Sequence, residues 1–417
     1  MNAGPRAAAA LDARAAAAAA AVDADAVVAL AADLVRIPSV WRPEVPGANE
    51  TAVASFLAGH LRGLGLAVTV AEAAPGRPNV VADWETGRPG RGLILEGHTD
   101  VVTEGEPAAW TDPPFAGVVR DGRLYGRGAA DMKGGLAAAV GAIDAARRAC
   151  PDLAGRVRLA AVADEEGLML GIKALIRAGG AHGFDAAIVC EPEENELCLH
   201  QKGALRVLAM FRGRMAHGAM PYAGANPMPS AARFVLALGD EERREQARLG
   251  AHRFLGRPYI TPTTVRAPAQ GTPQFNVMAG EAQVTVDVRT IPGQDHAALV
   301  EALRAAAARA AAPDAGVSAA VELVEDRPWT ETPADAPVVQ ALERAVRTAL
   351  GREPAYGGVP GSTDGTFLHA WAGLPVVTVG PGSRQIPHQA DEHVEIAELV
   401  AAARLYAAAI VYFLGEA

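Results

Sequence analysis

The chain turns on Leu93-Ile94-Leu95-Glu96-Gly97-His98-Thr99-Asp100. Residues 93–95 are a short apolar run, the kind that fills a strand buried on both faces. Gly97 is expected to end it. A histidine and an aspartate then stand two residues apart. In an extended backbone the period of two puts His98 and Asp100 on one face. There an imidazole can bind a metal while a nearby carboxylate orients it or raises its basicity. Taken alone, a histidine after a strand is more often an ordinary polar loop residue, and the weight of the pair comes from residues further along.

Around this stretch strands and helices alternate. The patterning predicts strands over 66–71, 79–84, 92–96, 157–162 and 186–189, with helices over 135–148 and 170–178. Arg147 and Arg148 suit the C-terminal dipole of the first of these helices. This is the rhythm of an α/β domain with a mostly parallel sheet flanked by helices. Near Gly203 the rhythm changes to strand 205–211, helix 229–246, a strand near 263–267, strand 281–288, helix 295–311 and strand 317–324. That order resembles a split βαβ sandwich, in which two helices cover one face of an antiparallel sheet. After Pro328 the α/β pattern resumes, with a helix near 338–350 and a strand over 375–379. The expected organisation is one α/β domain formed by residues 1–202 and 326–417, interrupted by an α+β domain of residues 203–325.

The N-terminal residues 7–21 are rich in alanine but are broken by Asp12 and Arg14 and lack a strongly apolar centre, which argues against a signal peptide. They read as a frayed or marginal helix leading into a helix over 25–35 with Asp25 as its N-cap. Lys plus Arg number 38 against 48 Asp plus Glu, a net charge of −10. With no basic cluster, a nucleic-acid partner is not expected. No apolar run of membrane-spanning length stands out. Cys150, Cys190 and Cys198 are too few and too irregular for a disulfide framework and suit a reducing, cytoplasmic setting.

The polar residues now fall into place. Asp131 lies in Gly126-Arg127-Gly128-Ala129-Ala130-Asp131-Met132-Lys133-Gly134-Gly135, just ahead of a helix. An N-cap would explain the aspartate, but four glycines in ten residues let backbone crowd around something. Glu165 and Glu166 follow the strand over 157–162, and Glu191 follows that over 186–189, where α/β sheets place ligands. His388 lies in a loop soon after the strand over 375–379. Imidazoles and carboxylates without thiolates suit Zn(II), Mn(II) or Co(II). Two metals need one bridging carboxylate and two further protein ligands each. His98, Asp131, Glu166, Glu191 and His388 supply that number. Glu165, left over, is free to act as general base.

The set resembles the dinuclear zinc amidohydrolases and peptidases that include acetylornithine deacetylase, succinyl-diaminopimelate desuccinylase, aminoacylase and carboxypeptidase G. The motifs that carry the resemblance are GHTDVV at 97–102, GRGAADMKGG at 126–135, DEEG at 164–167, CEP at 190–192 and HQADEHV at 388–394. It extends from about Leu34 to the C-terminus. It implies a metal-binding catalytic domain interrupted by a ferredoxin-like dimerisation or lid domain. It also implies that His98 and Glu191 hold one metal and Glu166 and His388 the other. Asp131 would bridge them beside a cis peptide, Asp100 would orient His98, and Glu165 would move the proton.

In the inserted region, Gly213-Arg214-Met215-Ala216-His217-Gly218 resembles the segment whose histidine reaches a partner subunit's site. Asn276 and Arg289 match positions that grip a substrate carboxylate, and Gly361, Ser362 and Thr363 match a small-residue loop beside the substrate. Gly218 stands where other members often have Ser. The expected activity is hydrolysis of the amide bond of an N-acyl amino acid or small peptide with a free carboxylate, by a homodimer using two divalent ions, Zn(II) first. The alternatives are a dipeptidase or carboxypeptidase, hydrolysis of a ureido or aryl amine bond, and a catalytically silent binding protein. The last would have been signalled by loss of a ligand or of Glu165.

Overall fold

The computed structural model describes residues 5–415, which divide into two compact units. The first holds the described residues up to His200, Glu331–Gly358 and the described residues from Thr363 onward. The second holds Gln201–Thr330 and Val359–Ser362. Gly361 and Ser362 therefore group with the second unit and Thr363 with the first.

The first unit is built on a mixed sheet. Its strands run in the order Ala67–Ala74, Arg77–Glu85, Arg156–Val162, Gly92–His98, Ala186–Val189, Val376–Thr378 and Leu197–Gln201. The four from Arg156–Val162 to Val376–Thr378 are mutually parallel, and those flanking them are antiparallel. The strand Gly92–His98 is buried along its whole length. Leu93 and Leu95 enter one apolar cluster and Ile94 the other, so helices cover both faces. Burying each such side chain contributes about 1.5–3 kcal/mol. Gly97 does not end this strand. Pairing continues through His98, which faces Val162.

Three expectations are corrected here. The alanine-rich N-terminus is a regular helix, Pro5–Ala20, with Ala15, Ala18 and Ala19 buried. Asp12, taken as an interruption, accepts hydrogen bonds from Arg344 at 2.7 Å and from the Tyr412 hydroxyl at 2.8 Å, and Arg14 reaches Asp152 at 2.6 Å. The next helix, Ala24–Val35, is capped by Asp23, whose carboxylate accepts from Ala26 N–H; Asp25 lies inside its first turn. Ile396–Gly415 is a helix long and apolar enough to cross a membrane by length and composition, contrary to the expectation that no such run exists. Its side chains, Leu405, Tyr406, Ile410 and Phe413 among them, are buried in the core of the first unit.

The second unit has an antiparallel sheet in the order Tyr259–Arg266, Glu281–Thr290, Gly203–Arg212 and Ser318–Arg327. Burial along Glu281–Thr290 alternates strictly, so one face is covered and the other is not. The covering helices are Met228–Leu249 and His296–Ala311, which bring Phe234, Leu238, Leu299 and Leu303 onto Leu205, Val207, Val284 and Val286.

Candidate metal centre

Each parallel strand of the first unit ends in a residue able to donate to a metal, or in a loop that carries one. His98 is the last residue of its strand and is fully buried. Its Nδ1 lies 2.9 Å from the main-chain oxygen of Asp100, which fixes the ring and leaves Nε2 for the site. The sequence reading gave that orienting task to the Asp100 carboxylate, but Oδ1 stands 3.8 Å away. The carboxylate instead accepts the main-chain N–H groups of Glu165, at 3.2 Å, and of Glu166, at 3.1 Å. A second buried set steadies the same turn. Arg77 pairs with both Glu50 and Asp164, and Asp164 accepts from the N–H groups of Leu168 and Leu170 at 3.1 and 3.2 Å.

Asp131 sits in a glycine-rich loop that leads into the helix Gly134–Ala149. Gly128 has φ +87°, which a side chain would strain. At Gly135 a Cβ would lie 2.0 Å from the carbonyl of Cys190, so only glycine lets this helix start against the strand end that carries Glu191. The Asp131–Met132 bond is cis.

Asp131 divides its oxygens between the two histidines. Oδ1 lies 3.0 Å from His98 Nε2 and Oδ2 lies 3.4 Å from His388 Nε2. Glu191 Oε1 is 3.6 Å from His98 Nε2, and Glu166 Oε1 is 2.9 Å from His388 Nε2. Donor atoms of His98, Asp131 and Glu191 lie within 4.8 Å of one another, as do those of Asp131, Glu166 and His388. Two three-residue groups thus share one carboxylate, with oxygen and imidazole donors that fit divalent ions. A further group of the same compactness joins Glu165 to His98 and Glu166.

The electrostatics fit a site for cations. Burial, then the nearby Asp131, pushes the carboxyls of Glu191 and Glu166 up. Burial also raises Glu165, aided by the negative Glu166. Burial works against a charged His98, but Glu191, Asp131 and Asp100 outweigh it and raise the imidazole well above its usual value. Hydrogen bonds to Asp131 and Glu166 lift His388 to about 10. Asp131 differs, because burial is outweighed by hydrogen bonds with His388 and His98, which hold its carboxyl low; the three glutamates beside it resist ionising together unless positive charge joins them.

Among the residues named from sequence, His98, Asp100, Asp131, Glu165, Glu166, Glu191 and His388 come together in the first unit. Thr363 lies in that unit too, buried, with its hydroxyl 3.2 Å from Gly365 N–H. His217, Asn276, Arg289, Gly361 and Ser362 lie in the second. There, Ala216–His217 pairs with Val277–Met278, and Gly218 N–H donates to the Asn276 carbonyl at 2.7 Å, so His217 and Asn276 are neighbours on an exposed ribbon. Arg289 is held by Asp287 at 2.7 Å, and Ser362 donates to the Lys202 carbonyl at 2.6 Å.

Sequence reasoning passed over Glu96, beneath the site, where burial pushes the carboxyl up to about 8. It also passed over Arg127 and Glu392. Both stand inside the quoted motifs, but Arg127 pairs with Glu392, and Glu392 holds main-chain N–H groups, which leave no trace in residue spacing.

Comparison with known proteins agrees with this geometry. The pattern of the Peptidase family M20/M25/M40 matches residues 94–412. The chain is 34% identical over 385 residues to succinyl-diaminopimelate desuccinylase of Cereibacter sphaeroides, covering 89% of this chain and 94% of that protein. Among solved structures it resembles the di-peptidase Dug1p from Saccharomyces cerevisiae, with a TM-score of 0.75 at 17% identity, covering 96% of this chain and 98% of that one. It also resembles YXEP of Bacillus subtilis, a dinuclear metal-binding peptidase of the M20 family, with a TM-score of 0.69 at 18% identity, covering 94% and 98%. The chain belongs to the Peptidase family M20/M25/M40 and is a metal-dependent hydrolase of amide bonds in acyl amino acids or peptides.

Proposed function

We propose that this enzyme hydrolyses the amide bond of an N-acyl amino acid that carries a free carboxylate, at a site holding two divalent ions, Zn(II) first and Co(II) or Mn(II) as substitutes. The observation that carries the reading is Asp131, with one oxygen turned to each of His98 and His388. His98 and Glu191 would hold one ion and Glu166 and His388 the other, with Asp131 shared between the two groups. When bound, the ions supply Lewis acidity and lower the pKa of a water molecule. Glu165, within reach of His98 and Glu166, takes the proton from the attacking water and delivers it to the leaving nitrogen. Asp100 keeps Glu165 in place by its main chain.

The second unit supplies the dimerisation and lid functions. Its edge strand Tyr259–Arg266 is largely exposed, Val265 at 57%, and the neighbouring helix exposes Leu236 at 75%. An exposed edge of this kind pairs readily with a second copy. His217 then donates to the oxyanion in the partner's site, and Asn276 and Arg289 take the substrate carboxylate. Gly361, Ser362 and Thr363 line the substrate. Cytoplasmic operation accords with three free, buried cysteines. N-succinyl amino acids are the first substrates to assay, a choice that likeness to a desuccinylase supports.

The test is a panel of N-succinyl, N-acetyl and N-formyl amino acids and dipeptides, run with the zinc-loaded enzyme and with Glu165→Gln. Acyl amino acids should be turned over fastest. The variant should lose about 10²–10⁴ in rate while keeping its metal. Faster turnover of dipeptides would replace the deacylase reading by a peptidase, and near-normal turnover by the variant would remove Glu165 as the base.

A further inference from the structure

We propose that Glu392 is a positioning residue, a carboxylate clamp that fixes the main-chain path of Gly128–Asp131 and so the aim of the two Asp131 oxygens. The inference rests on the reading of Asp131 as the bridge.

The Glu392 side chain is fully buried. Its Oε1 accepts three main-chain N–H groups from one loop: Gly128 at 3.0 Å, Ala130 at 3.1 Å and Asp131 at 3.1 Å. Amides of one loop converging on one oxygen form an anion-holding concavity. Oε2 accepts from Arg127 Nη1, and that guanidinium, itself buried, lies over the Trp110 ring at 5.2 Å. Each oxygen of the buried carboxylate thus has a donor, and one of these is a charged guanidinium. Its own carbonyl accepts the Gly126 N–H at 2.9 Å, and the strand His393–Glu395 pairs with Arg123–Tyr125. Glu392 lies four residues beyond His388. The segment that carries one histidine ligand therefore grips, by side chain and main chain together, the segment that carries the bridging ligand.

This arrangement bears on catalysis rather than on folding alone. Asp131 must present oxygens to two positions at once, and its own backbone N–H is one of the three that Glu392 holds. Without that hold the carboxylate swings as a unit, and one of its two oxygens leaves its position. A misplacement of about 1 Å at a reacting centre costs on the order of 10²-fold in rate.

The test compares Glu392→Ala and Glu392→Gln, loaded with Co(II), by metal stoichiometry, by the visible d–d spectrum and by kcat and KM. Both variants lose the ion pair with Arg127 and should lose thermal stability alike. Only glutamine keeps an oxygen for the three amides. Glu392→Ala should show an altered cobalt spectrum and a kcat lower by about 10²-fold with KM little changed. Glu392→Gln should keep a near-native spectrum and a rate within about tenfold of wild type. Should Glu392→Ala not fold, Arg127→Met serves, because it removes the charge partner and leaves the three amide bonds. It should melt earlier yet keep the native cobalt spectrum. A native spectrum in folded Glu392→Ala, or an altered one in Arg127→Met, overturns the clamp alone. Wild-type protein that takes up no cobalt overturns the dinuclear reading and, with it, the clamp.

Discussion

Asp100 holds Glu165 by its backbone: one carboxylate oxygen of Asp100 accepts the Glu165 N–H at 3.2 Å, and the other accepts that of Glu166 at 3.1 Å. The residue two places beyond the first histidine ligand thus sets the position of the proposed base and of a proposed ligand to the other metal. The hydrogen bond that Asp100 makes to the imidazole of His98 comes from its main-chain oxygen, at 2.9 Å.

Asp100→Asn follows directly. The amide can replace one acceptor, while its nitrogen faces the other N–H donor. The turn at Glu165–Glu166 should shift, and kcat/KM should fall by about 10²-fold. Metal at His98 should stay, since the main-chain oxygen at position 100 is unchanged. Steady-state kinetics with elemental analysis checks this; loss of one metal would show that the carboxylate acts through His98 after all.

Asp131→Ala removes the oxygens that face both histidines. Two cations close together repel strongly unless an anion lies between them. Bound metal should drop below two per chain and activity should collapse, with the circular dichroism spectrum largely kept. Two tightly held ions in this variant would exclude the bridging role.

Metal affinity should rise with pH. In the metal-free protein the bonds to Asp131 and Glu166 hold the His388 proton until about pH 10, and His98 is also raised. A metal must displace these protons, so acid competes with it and alkali favours it. Calorimetry in buffers of different ionisation enthalpy should report net proton release at pH 7. Binding that is flat with pH and releases no proton would contradict imidazole ligation by His98 and His388.

Much of this was legible beforehand, for identifiable reasons. The strand Ala186–Val189 is read at its observed ends because it is wholly apolar and flanked by turn-forming residues. His388 and Glu166 are 222 residues apart. Nothing local could join them; the order of motifs did. The helix Ile396–Gly415 was passed over because it is buried along most of its length and shows no amphipathic period to detect. Asp23 and Asp25 are equally good caps by type. The extended backbone at Asp23, with ψ 101°, decides between them, and that is a property of the folded chain. The work of Glu392 was hidden for a similar reason, since amide donors are the same in every residue.

His217 stands on the exposed ribbon formed with Val277–Met278. If His217 completes the partner's site, mixing His217→Ala with Glu165→Gln under subunit exchange creates heterodimers with one doubly defective site and one intact site. Activity should recover towards about half per mixed dimer, whereas each parent should be lower by about 10²-fold or more. Proven exchange without recovery would confine His217 to its own chain.

The order in which the site residues leave the ribosome carries a consequence of its own. His98, Asp131, Glu166 and Glu191 emerge first, and His388 and Glu392 only after the second unit, whose four-stranded sheet and two covering helices lie in the single run Gln201–Thr330. That unit is the first able to close during synthesis, while four acidic and imidazole side chains wait without their last partners. Domains generally fold as units as they emerge. Newly made chains should therefore pass through a stage in which the later-encoded unit is formed and the first-encoded one is still open, and a chaperone or a stray transition metal would meet the protein at that stage.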